Sequence, residues 1–290
     1  MYKIWLAGLW LIAMSIGNLW GPGESRHPWT VAQFSQQEFR PDAPVIIENV
    51  PGKSQAEALK LPYLLASRTT NYYHATPSQA KNIELVASRL NGAVVQPGHI
   101  FSYYQRVGPY TAENGFGWGR MFVGDRIVPS IGGGVCQGSS TLYSALLRTG
   151  LPILERHHHG LTVPYLPPGE DATVASDYLD FRFKNNRSTP ILITAEAHDR
   201  HLTVAIWGAT PGPEIVVKHQ ILAVYPYRTI TQRNPRLKAG EQKIVAPGQE
   251  GVKVKTWLEI KSPSGVTVKD LGIDQYRPSP RIIEVGPDAS

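Results

Sequence analysis

The sequence is poor in the residues that build cross-linked folds. Its 290 residues include a single cysteine. One cysteine excludes a disulfide scaffold within the chain, and it equally excludes zinc sites built from paired cysteines. The sequence contains no run of Lys or Arg and no zinc-finger spacing, which argues against nucleic acid as a partner. It also lacks internal repeats and low-complexity tracts.

The overall composition is typical of a globular protein. Hydrophobic residues make up 42% of the chain and charged residues 18%, which suits a packed core rather than a disordered chain. The formal net charge of +6 favours acidic surfaces or polymers as partners. The length predicts one large domain or two smaller ones.

The N-terminal segment, residues 1–20, predicts export. Lys3 precedes a nearly uncharged apolar run that begins at Ile4, ends at Trp20 and is followed by Gly-Pro-Gly. A run of this length suits either a signal peptide or a membrane anchor. We therefore expect an extracytoplasmic protein of the cell envelope, exported by a signal peptide or anchored in the inner membrane. The mixed polar residues 21–60 are expected to form a linker.

Local patterns predict an α+β domain over residues 61–210. Thr76 can cap a helix whose first position is Pro77, and Asn91-Gly92 can end it. A second helix is expected at 137–148. Strands are expected at 93–95, 100–104, 121–128, 191–197 and 201–207, the last two forming a hairpin.

The remainder of the chain, residues 211–290, is expected to form a small all-β module. A Pro- and Gly-rich stretch at 209–213 marks the boundary. Apolar and polar residues alternate along 252–260, the pattern of a half-buried strand. Residues 211–290 contain twelve basic residues against eight acidic ones, so most of the net charge lies there.

The residues best suited to catalysis or ligand binding surround the lone cysteine. Gly132, Gly133 and Gly134 lead into the second predicted helix, which places Cys136 at or beside its first turn. Glycines allow backbone conformations closed to other residues and a close approach to a ligand. Unpaired amides and the helix dipole there stabilise a thiolate. The exposed backbone amides of Gly134, Cys136 or Gln137 could donate to a developing oxyanion.

A thiolate nucleophile needs a base that is close in space, and a run of three histidines follows the second helix. If this run returns as a strand, His157 and His159 share one face and His158 points the other way. Asp171 and Asp180 are both candidates to orient the base through its other nitrogen. The spacing does not choose between them.

Two further interpretations of these residues are open. Cys136 could bind zinc together with His157 and His159, although structural zinc sites are usually built from short-spaced ligand pairs. Alternatively, the cysteine is buried and inert, and the histidines form a surface cluster. An inert cysteine has little need for three glycines and a helix start. We therefore favour a cysteine nucleophile that uses no metal and no cofactor.

The residues from about Ser67 to Trp207 resemble the VanW family, which is named for an accessory protein of vancomycin-resistance clusters. The resemblance is carried by short motifs that occur in the same order. These motifs are Asn82-Ile83, Leu90-Asn91-Gly92, Pro97-Gly98 with Phe101-Ser102, Gly132–Gln137, Ser140–Tyr143, Glu155-Arg156, His159, Tyr165 and Gly169–Val174. The resemblance implies an α+β domain of mixed helices and strands.

The residues from about Glu214 to Gly286 resemble a G5 domain. The match is carried by Gly240, Gly248, Gly251 and the segment 281–286. G5 domains accompany cell-wall enzymes and are thought to bind amino-sugar polymers. The two resemblances together imply peptidoglycan stem peptides and glycan strands as partners.

The VanW resemblance also implies an activity, that of an L,D-transpeptidase which cross-links peptidoglycan through an acyl-enzyme. Carried over, Cys136 is the nucleophile and His159 the matching histidine. Residues expected to support the site are Gly132, Gly133, Ser140, Glu155, Arg156 and Asp171. The chain departs from the family pattern at Gly138, where valine is common, and at Gly160, where serine is common.

Other classes of function remain open. A non-catalytic accessory protein that binds peptidoglycan with both domains predicts an unactivated thiol and a function that survives Cys136→Ala. A zinc-dependent peptidase predicts sensitivity to chelators.

Overall fold

The computed structural model describes residues 50–123 and 126–287. The predicted leader at 1–20 and most of the predicted linker lie outside these described residues. No helix of the described part has the length and apolar character needed to cross a membrane. The described residues form an α+β domain followed by an all-β region, so the predicted fold class is confirmed.

The elements are numbered in chain order. The α-helices of the described residues are α1 Lys53–Ala58, α2 Pro77–Leu90, α3 Tyr103–Val107 and α4 Val135–Leu146, with a 3-10 turn at Ala112–Asn114. The strands of the first domain are β1 Tyr63–Asn71, β2 Ala93–Val95, β3 Ile100–Ser102, β4 Trp118–Val123, β5 Arg126–Ile131, β6 Ile153–Glu155, β7 Arg182–Lys184, β8 Ile191–His198 and β9 His201–Gly208. The strands of the C-terminal module are β10 Glu214–Tyr225, β11 Thr229–Arg233, β12 Gln242–Gln249, β13 Gly251–Ser262, β14 Gly265–Tyr276 and β15 Ser279–Val285.

The first domain is built on a four-stranded antiparallel sheet in the order β1-β9-β8-β2. The predicted hairpin is present, because β8 and β9 pair from Ile191 with Gly208 to His198 with His201. Helices α2 and α4 pack on this sheet and on each other. Burial of their apolar faces against the sheet provides the main core, since the free energy gained scales with the apolar area removed from water.

Helix α2 begins and ends where the sequence predicts. The Thr76 hydroxyl accepts a hydrogen bond from the Gln79 N–H at 3.2 Å, and Pro77 occupies the first helical position. At the other end the helix stops at Asn91, and Gly92 adopts a φ of 78°. The buried face includes the predicted inward residues Ala80, Ile83, Ala87 and Leu90.

The strand predicted at 100–104 is too long, because it ends at Ser102 and a short helix follows. The Ser102 hydroxyl accepts from the Gln105 N–H at 3.1 Å, which caps helix α3. The Asp180 carboxylate accepts from the Tyr104 N–H at 2.8 Å and satisfies a second amide of the first turn. The single strand predicted at 121–128 is also wrong, because two antiparallel strands, β4 and β5, are found there.

Part of the predicted linker is structured. Helix α1 lies within residues 21–60, and Ala56 is fully buried. It forms a small second core with residues that include Val50, Leu61 and Trp207 on the far side of the sheet. The linker prediction therefore does not describe residues 50–60.

The C-terminal module contains two three-stranded sheets. One is antiparallel, in the order β10-β13-β14, and the other has the order β11-β15-β12 with β11 and β15 parallel. The predicted alternation in β13 is present: Val252, Val254 and Leu258 are buried. Tyr276, at the end of β14, is fully buried and reaches the first domain.

Candidate active site

Cys136 is the second residue of helix α4, close to the position predicted. The helix itself spans 135–146 rather than 137–148. Gly134 is its N-cap and has a φ of 109°, and Gly132 has a φ of 78°. Side chains rarely adopt such angles, so these two glycines allow the sharp turn from β5 into the helix. The thiol is consequently placed at the positive end of the helix dipole.

At Gly133 a side chain is excluded by sterics, because the backbone there crosses that of Gly119 on β4. A Cβ added at Gly133 would lie 2.3 Å from the carbonyl carbon of Gly119. The Asn82 side chain holds the same crossing together, since its amide group donates to the carbonyl oxygens of Gly117 and Gly133, each at 2.9 Å. Its carbonyl oxygen accepts from the Gly117 N–H at 2.7 Å. The triglycine turn is therefore shaped by backbone packing.

The sulfur of Cys136 faces the segment 172–174. Its Sγ accepts from the Val174 N–H at 3.5 Å, lies 3.4 Å from the Val174 carbonyl oxygen and 3.7 Å from the Thr173 hydroxyl. Ser140, one turn further along the helix, fixes this segment: the Ala172 N–H donates to its hydroxyl at 3.0 Å. Cys136 as a whole residue is partly exposed, and its sulfur is surrounded by these contacts.

His159 is buried and is held by Asp171. The Nδ1 atom of His159 lies 2.6 Å from Asp171 Oδ2, and its backbone N–H donates to the same oxygen at 2.8 Å. With Nδ1 engaged, Nε2 is the ring nitrogen that remains for the thiol. The geometry thus assigns the orienting role to Asp171 rather than Asp180. Asp180 instead accepts from the backbone at the start of helix α3.

The electrostatics of Cys136 and His159 favour an ion pair. Burial by itself raises the pKa of Cys136, but the hydrogen bond and charge of His159, with the Val174 backbone and Thr173, lower it overall. Burial works against protonation of His159, yet its bonds to Asp171 and Cys136 raise its pKa to about 9. The pKa of Asp171 is lowered, because the bond and charge of His159 and the charge of Arg156 outweigh its burial. Both shifts favour the thiolate–imidazolium form of the pair over the neutral form.

Backbone amides beside the thiol can receive negative charge. The Gln137 N–H donates to the Gly134 carbonyl oxygen at 3.0 Å, so it is not the free donor that the sequence suggested. Its side chain is also engaged, by Thr70 and the Asn71 carbonyl oxygen. In the described part of the chain, the N–H groups of Gly134 and Cys136 donate to no acceptor. These two amides are the candidates for an oxyanion hole.

His157 and His159 do not share a face, because the strand on which that expectation depended does not reach them. Strand β6 ends at Glu155, so the histidines do not follow strand alternation. His157 is exposed and lies 3.4 Å from the Glu155 carboxylate, whereas His159 is buried. The zinc interpretation needs His157 beside Cys136. Within residues 50–123 and 126–287, no three His, Cys, Asp or Glu side chains form a group suited to a metal ion.

Glu155 and Arg156 hold residues close to Cys136 and His159 in place. The Glu155 carboxylate accepts from the Asp180 N–H at 3.0 Å. The Arg156 guanidinium donates to the carbonyl oxygen of Asp171 at 2.7 Å and to its carboxylate at 3.2 Å. It also stacks on the Tyr143 ring at 5.0 Å from the centroid. Arg156 thus fixes both the backbone and the side chain of the residue that orients His159.

The departure at Gly138 is explained by packing, whereas the structure gives no reason for glycine at 160. Gly138 lies two residues after Cys136, on the opposite side of the helix, where an added Cβ would meet Val86 at 2.3 Å. The Gly160 carbonyl oxygen accepts from the Arg277 N–H at 2.7 Å, a contact to the C-terminal module. Neither residue contacts the thiol.

Sequence reasoning misses several residues that build this site. Asn82 appears only as a family match, and Tyr103, whose hydroxyl donates to the Val135 carbonyl oxygen at 2.8 Å, appears only as a strand residue. Tyr276 and Asp274, on β14, also contact the site. No local pattern links these two residues with the first domain, because the contacts depend on how the two halves pack.

Comparison with known families agrees with this architecture. The family model described as "VanW like protein" matches residues 78–207, and the model described as "G5 domain" matches residues 215–288. The chain therefore carries a VanW-like domain followed by a G5 domain, as the sequence motifs predict.

Two curated relatives share the first of these regions. "Uncharacterized protein YoaR" of Bacillus subtilis is 37% identical over 145 residues, which are 50% of this chain and 48% of that protein. "Vancomycin B-type resistance protein VanW" of Enterococcus faecalis is 25% identical over 205 residues, which are 62% of this chain and 74% of that protein. The chain thus spans about half the length of the Bacillus relative, at 48%. A solved G5 domain of an IgA1 protease aligns with 28% of this chain and all of its own, at 23% identity and a TM-score of 0.19.

Proposed function

We propose that this protein is a cysteine L,D-transpeptidase that cross-links peptidoglycan stem peptides. The VanW-like and G5 domains support a protein related to the cell wall. The observation that carries the finer proposal is the buried Asp171–His159 pair beside Cys136 at a helix N-terminus. Such an arrangement activates a thiol for acyl transfer, because the histidine stores the proton that the thiol gives up.

In the acylation step, the Cys136 thiolate attacks the carbonyl carbon of the third stem-peptide residue, meso-diaminopimelate or lysine. The negative charge that develops on the carbonyl oxygen is met by the N–H groups of Gly134 and Cys136. The His159 imidazolium gives its proton to the nitrogen of the terminal D-alanine as the bond to that nitrogen breaks. A thioester on Cys136 and free D-alanine result.

In the second step, a side-chain amine of a neighbouring stem attacks the thioester. Its proton passes to His159, which is neutral after the first step, and Asp171 stabilises the imidazolium that forms again. The new amide bond joins the two stems, and Cys136 leaves as a thiolate. Attack by water instead of the amine gives a shortened stem, which is carboxypeptidase activity.

The rest of the chain fits an extracytoplasmic setting in this proposal. The N-terminal segment directs export as a signal peptide or anchors the chain in the membrane. The G5 domain, with its modest excess of basic residues, binds glycan strands and brings the active site to the stems.

Mass spectrometry of the reaction products tests the proposal. The purified protein is incubated with disaccharide-tetrapeptide muropeptides, and we expect a dimer formed with the loss of one D-alanine. The Cys136→Ala variant should give no dimer. The two histidines provide a matched pair: His159→Ala should abolish the product, whereas the exposed His157→Ala should retain it.

Other products would indicate a different function. A tripeptide without dimer would keep the cysteine chemistry but make the protein a carboxypeptidase under those conditions. Unchanged substrate with all variants, together with retained binding to peptidoglycan, would instead support the non-catalytic accessory protein. Equal activity of the His157→Ala and His159→Ala variants would remove His159 from the mechanism.

A further inference from the structure

The Asp171 carboxylate binds residues from both halves of the molecule. Asp171 is fully buried. Its Oδ2 serves His159, through the ring and the backbone N–H. Its Oδ1 receives the Arg156 guanidinium at 3.2 Å and the hydroxyl of Tyr276. A carboxylate bound on both oxygens cannot rotate without breaking bonds to one side.

Tyr276 belongs to strand β14 of the C-terminal module, 105 residues away in sequence. Its hydroxyl oxygen accepts from the Gly169 N–H at 2.8 Å. Because a phenol has only one proton, that proton is directed to Asp171. The side chain is fully buried, and the His158 ring packs edge-on against it, with centroids 5.3 Å apart. The orientation of the hydroxyl is therefore determined on both sides.

Asp274, two residues earlier on the same strand, holds the other partner of Oδ1. Its carboxylate accepts from the Arg156 guanidinium at 2.6 Å. Arg156 in turn donates to the Asp171 carbonyl oxygen. Strand β14 thus supports the orienting carboxylate directly through Tyr276 and indirectly through Asp274.

Backbone contacts keep the two domains in register around this point. The Arg277 N–H donates to the Gly160 carbonyl oxygen at 2.7 Å, and the Gln249 side chain donates to the Thr162 carbonyl oxygen at 2.7 Å. Gly169 lies against Thr256 of β13 so closely that an added Cβ would be 2.1 Å from its hydroxyl. The segment that carries both His159 and Asp171 is therefore enclosed between helix α4 and the C-terminal module.

From these contacts we propose that Tyr276 is a positioning residue of the active site, so that the C-terminal module completes the site as well as extending the chain. The inference rests on the proposed function for its kinetic consequence only. The hydroxyl keeps Asp171 turned toward His159, and His159 in turn favours ionisation of the Cys136 thiol. Loss of the hydroxyl leaves Oδ1 held by Arg156 alone, at 3.2 Å, so the carboxylate is positioned less firmly and supports the imidazolium, and with it the thiolate, less well.

Tyr276→Phe tests this directly, because it removes one oxygen and keeps the buried ring. The first readout needs no substrate: the rate of Cys136 alkylation by iodoacetamide is measured against pH. We expect the midpoint of the profile to move upward, toward that of an ordinary thiol. With muropeptides, we expect kcat to fall about tenfold with little change in KM, as for a lost hydrogen bond to a charged group.

The matched control is Tyr225→Phe, in the same sheet. The Tyr225 hydroxyl takes no part in the hydrogen bonds described around Asp171, so this variant should leave the alkylation profile unchanged. An alkylation midpoint that is unchanged or lowered in Tyr276→Phe would overturn the inference. A shifted midpoint without any turnover of muropeptides would keep the inference and contradict the proposed transpeptidase.

A second variant covers the case in which Tyr276→Phe does not fold. Asp274→Asn leaves the tyrosine in place and removes the negative charge that pairs with Arg156, which keeps its bonds to Asp171. We expect the same upward shift of the alkylation midpoint, of smaller size, with a cooperative thermal transition retained. An unshifted midpoint in this folded variant would then count against the role of strand β14.

Discussion

Asp171 Oδ2 accepts two hydrogen bonds from one residue, His159: one from the backbone N–H at 2.8 Å and one from the ring Nδ1 at 2.6 Å. The two bonds fix both the position of the histidine and the rotation of its ring. Nδ1 therefore carries a proton, and Nε2 is the atom that exchanges a proton with the thiol or the substrate.

Replacing Asp171 by Asn should leave the protein folded and nearly inactive. The amide keeps a similar shape but lacks the charge that stabilises the imidazolium, so the pKa of His159 should fall from about 9 toward its ordinary value. We expect kcat to fall by about 100-fold or more. NMR titration of His159 checks the pKa, and Asp177→Asn, at an exposed carboxylate, is the control. Comparable activity of the two variants would contradict the assignment of Asp171.

The pH dependence of the reaction should be bell-shaped. The acid limb reports ionisation of Cys136, whose pKa is lowered, so activity should appear below the pH at which an ordinary thiol ionises. The alkaline limb reports loss of the proton from His159, whose pKa is raised to about 9, because the leaving amine then lacks its acid. Both limbs belong to the coupled pair. A plot of kcat/KM that keeps rising above pH 10 would be inconsistent with an ion-pair mechanism.

Gly133→Ala should destabilise the protein strongly. The added methyl would lie 2.3 Å from the backbone of Gly119, and neither backbone can move without disturbing the turn into helix α4. We expect a loss of about 3 kcal/mol in the free energy of unfolding, measured with urea. Gly212→Ala is the matched control, since its methyl would meet Leu65 at an ordinary 3.6 Å. Equal unfolding midpoints for the two variants would show that the crossing is not tight.

Asn82→Ala should loosen the same turn from the other side. The substitution removes three hydrogen bonds, two to carbonyl oxygens of Gly117 and Gly133 and one from the Gly117 N–H. We expect a loss of about 3 kcal/mol in the free energy of unfolding. The exposed Asn186→Ala serves as the comparison. A stable Asn82→Ala protein with unaltered thiol reactivity would mean that the turn is held by the glycines alone.

Much of the first domain can be predicted from local sequence. The capping residues Thr76 and Pro77 locate helix α2, and the glycines before Cys136 locate the start of helix α4. These predictions succeed because helix ends depend on bonds within a few residues. Strand β3 is predicted too long, because its end depends in part on a residue that is distant in sequence. The local cap at Ser102 is joined there by the carboxylate of Asp180, which lies far along the chain.

The site itself is predictable only in part. Cys136 and His159 follow from residue type and resemblance, but the choice between Asp171 and Asp180 needs the path of the chain. The error at His157 has the same origin, because alternation applies only while a strand continues, and strand β6 stops at Glu155. Tyr276 could not be inferred at all, because its role arises from packing between domains.

The reach of β14 into the active site limits how the two domains can be recombined. A chimera that joins this first domain to a foreign β module lacks the contacts of β14 to Arg156 and Asp171. It regains them only if the donor module carries equivalents of Asp274 and Tyr276, two residues apart. Joining the two chains at residues 209–213 is not sufficient for such a chimera. The harder requirement is a tyrosine hydroxyl presented to Gly169 and Asp171 at the end of the corresponding strand.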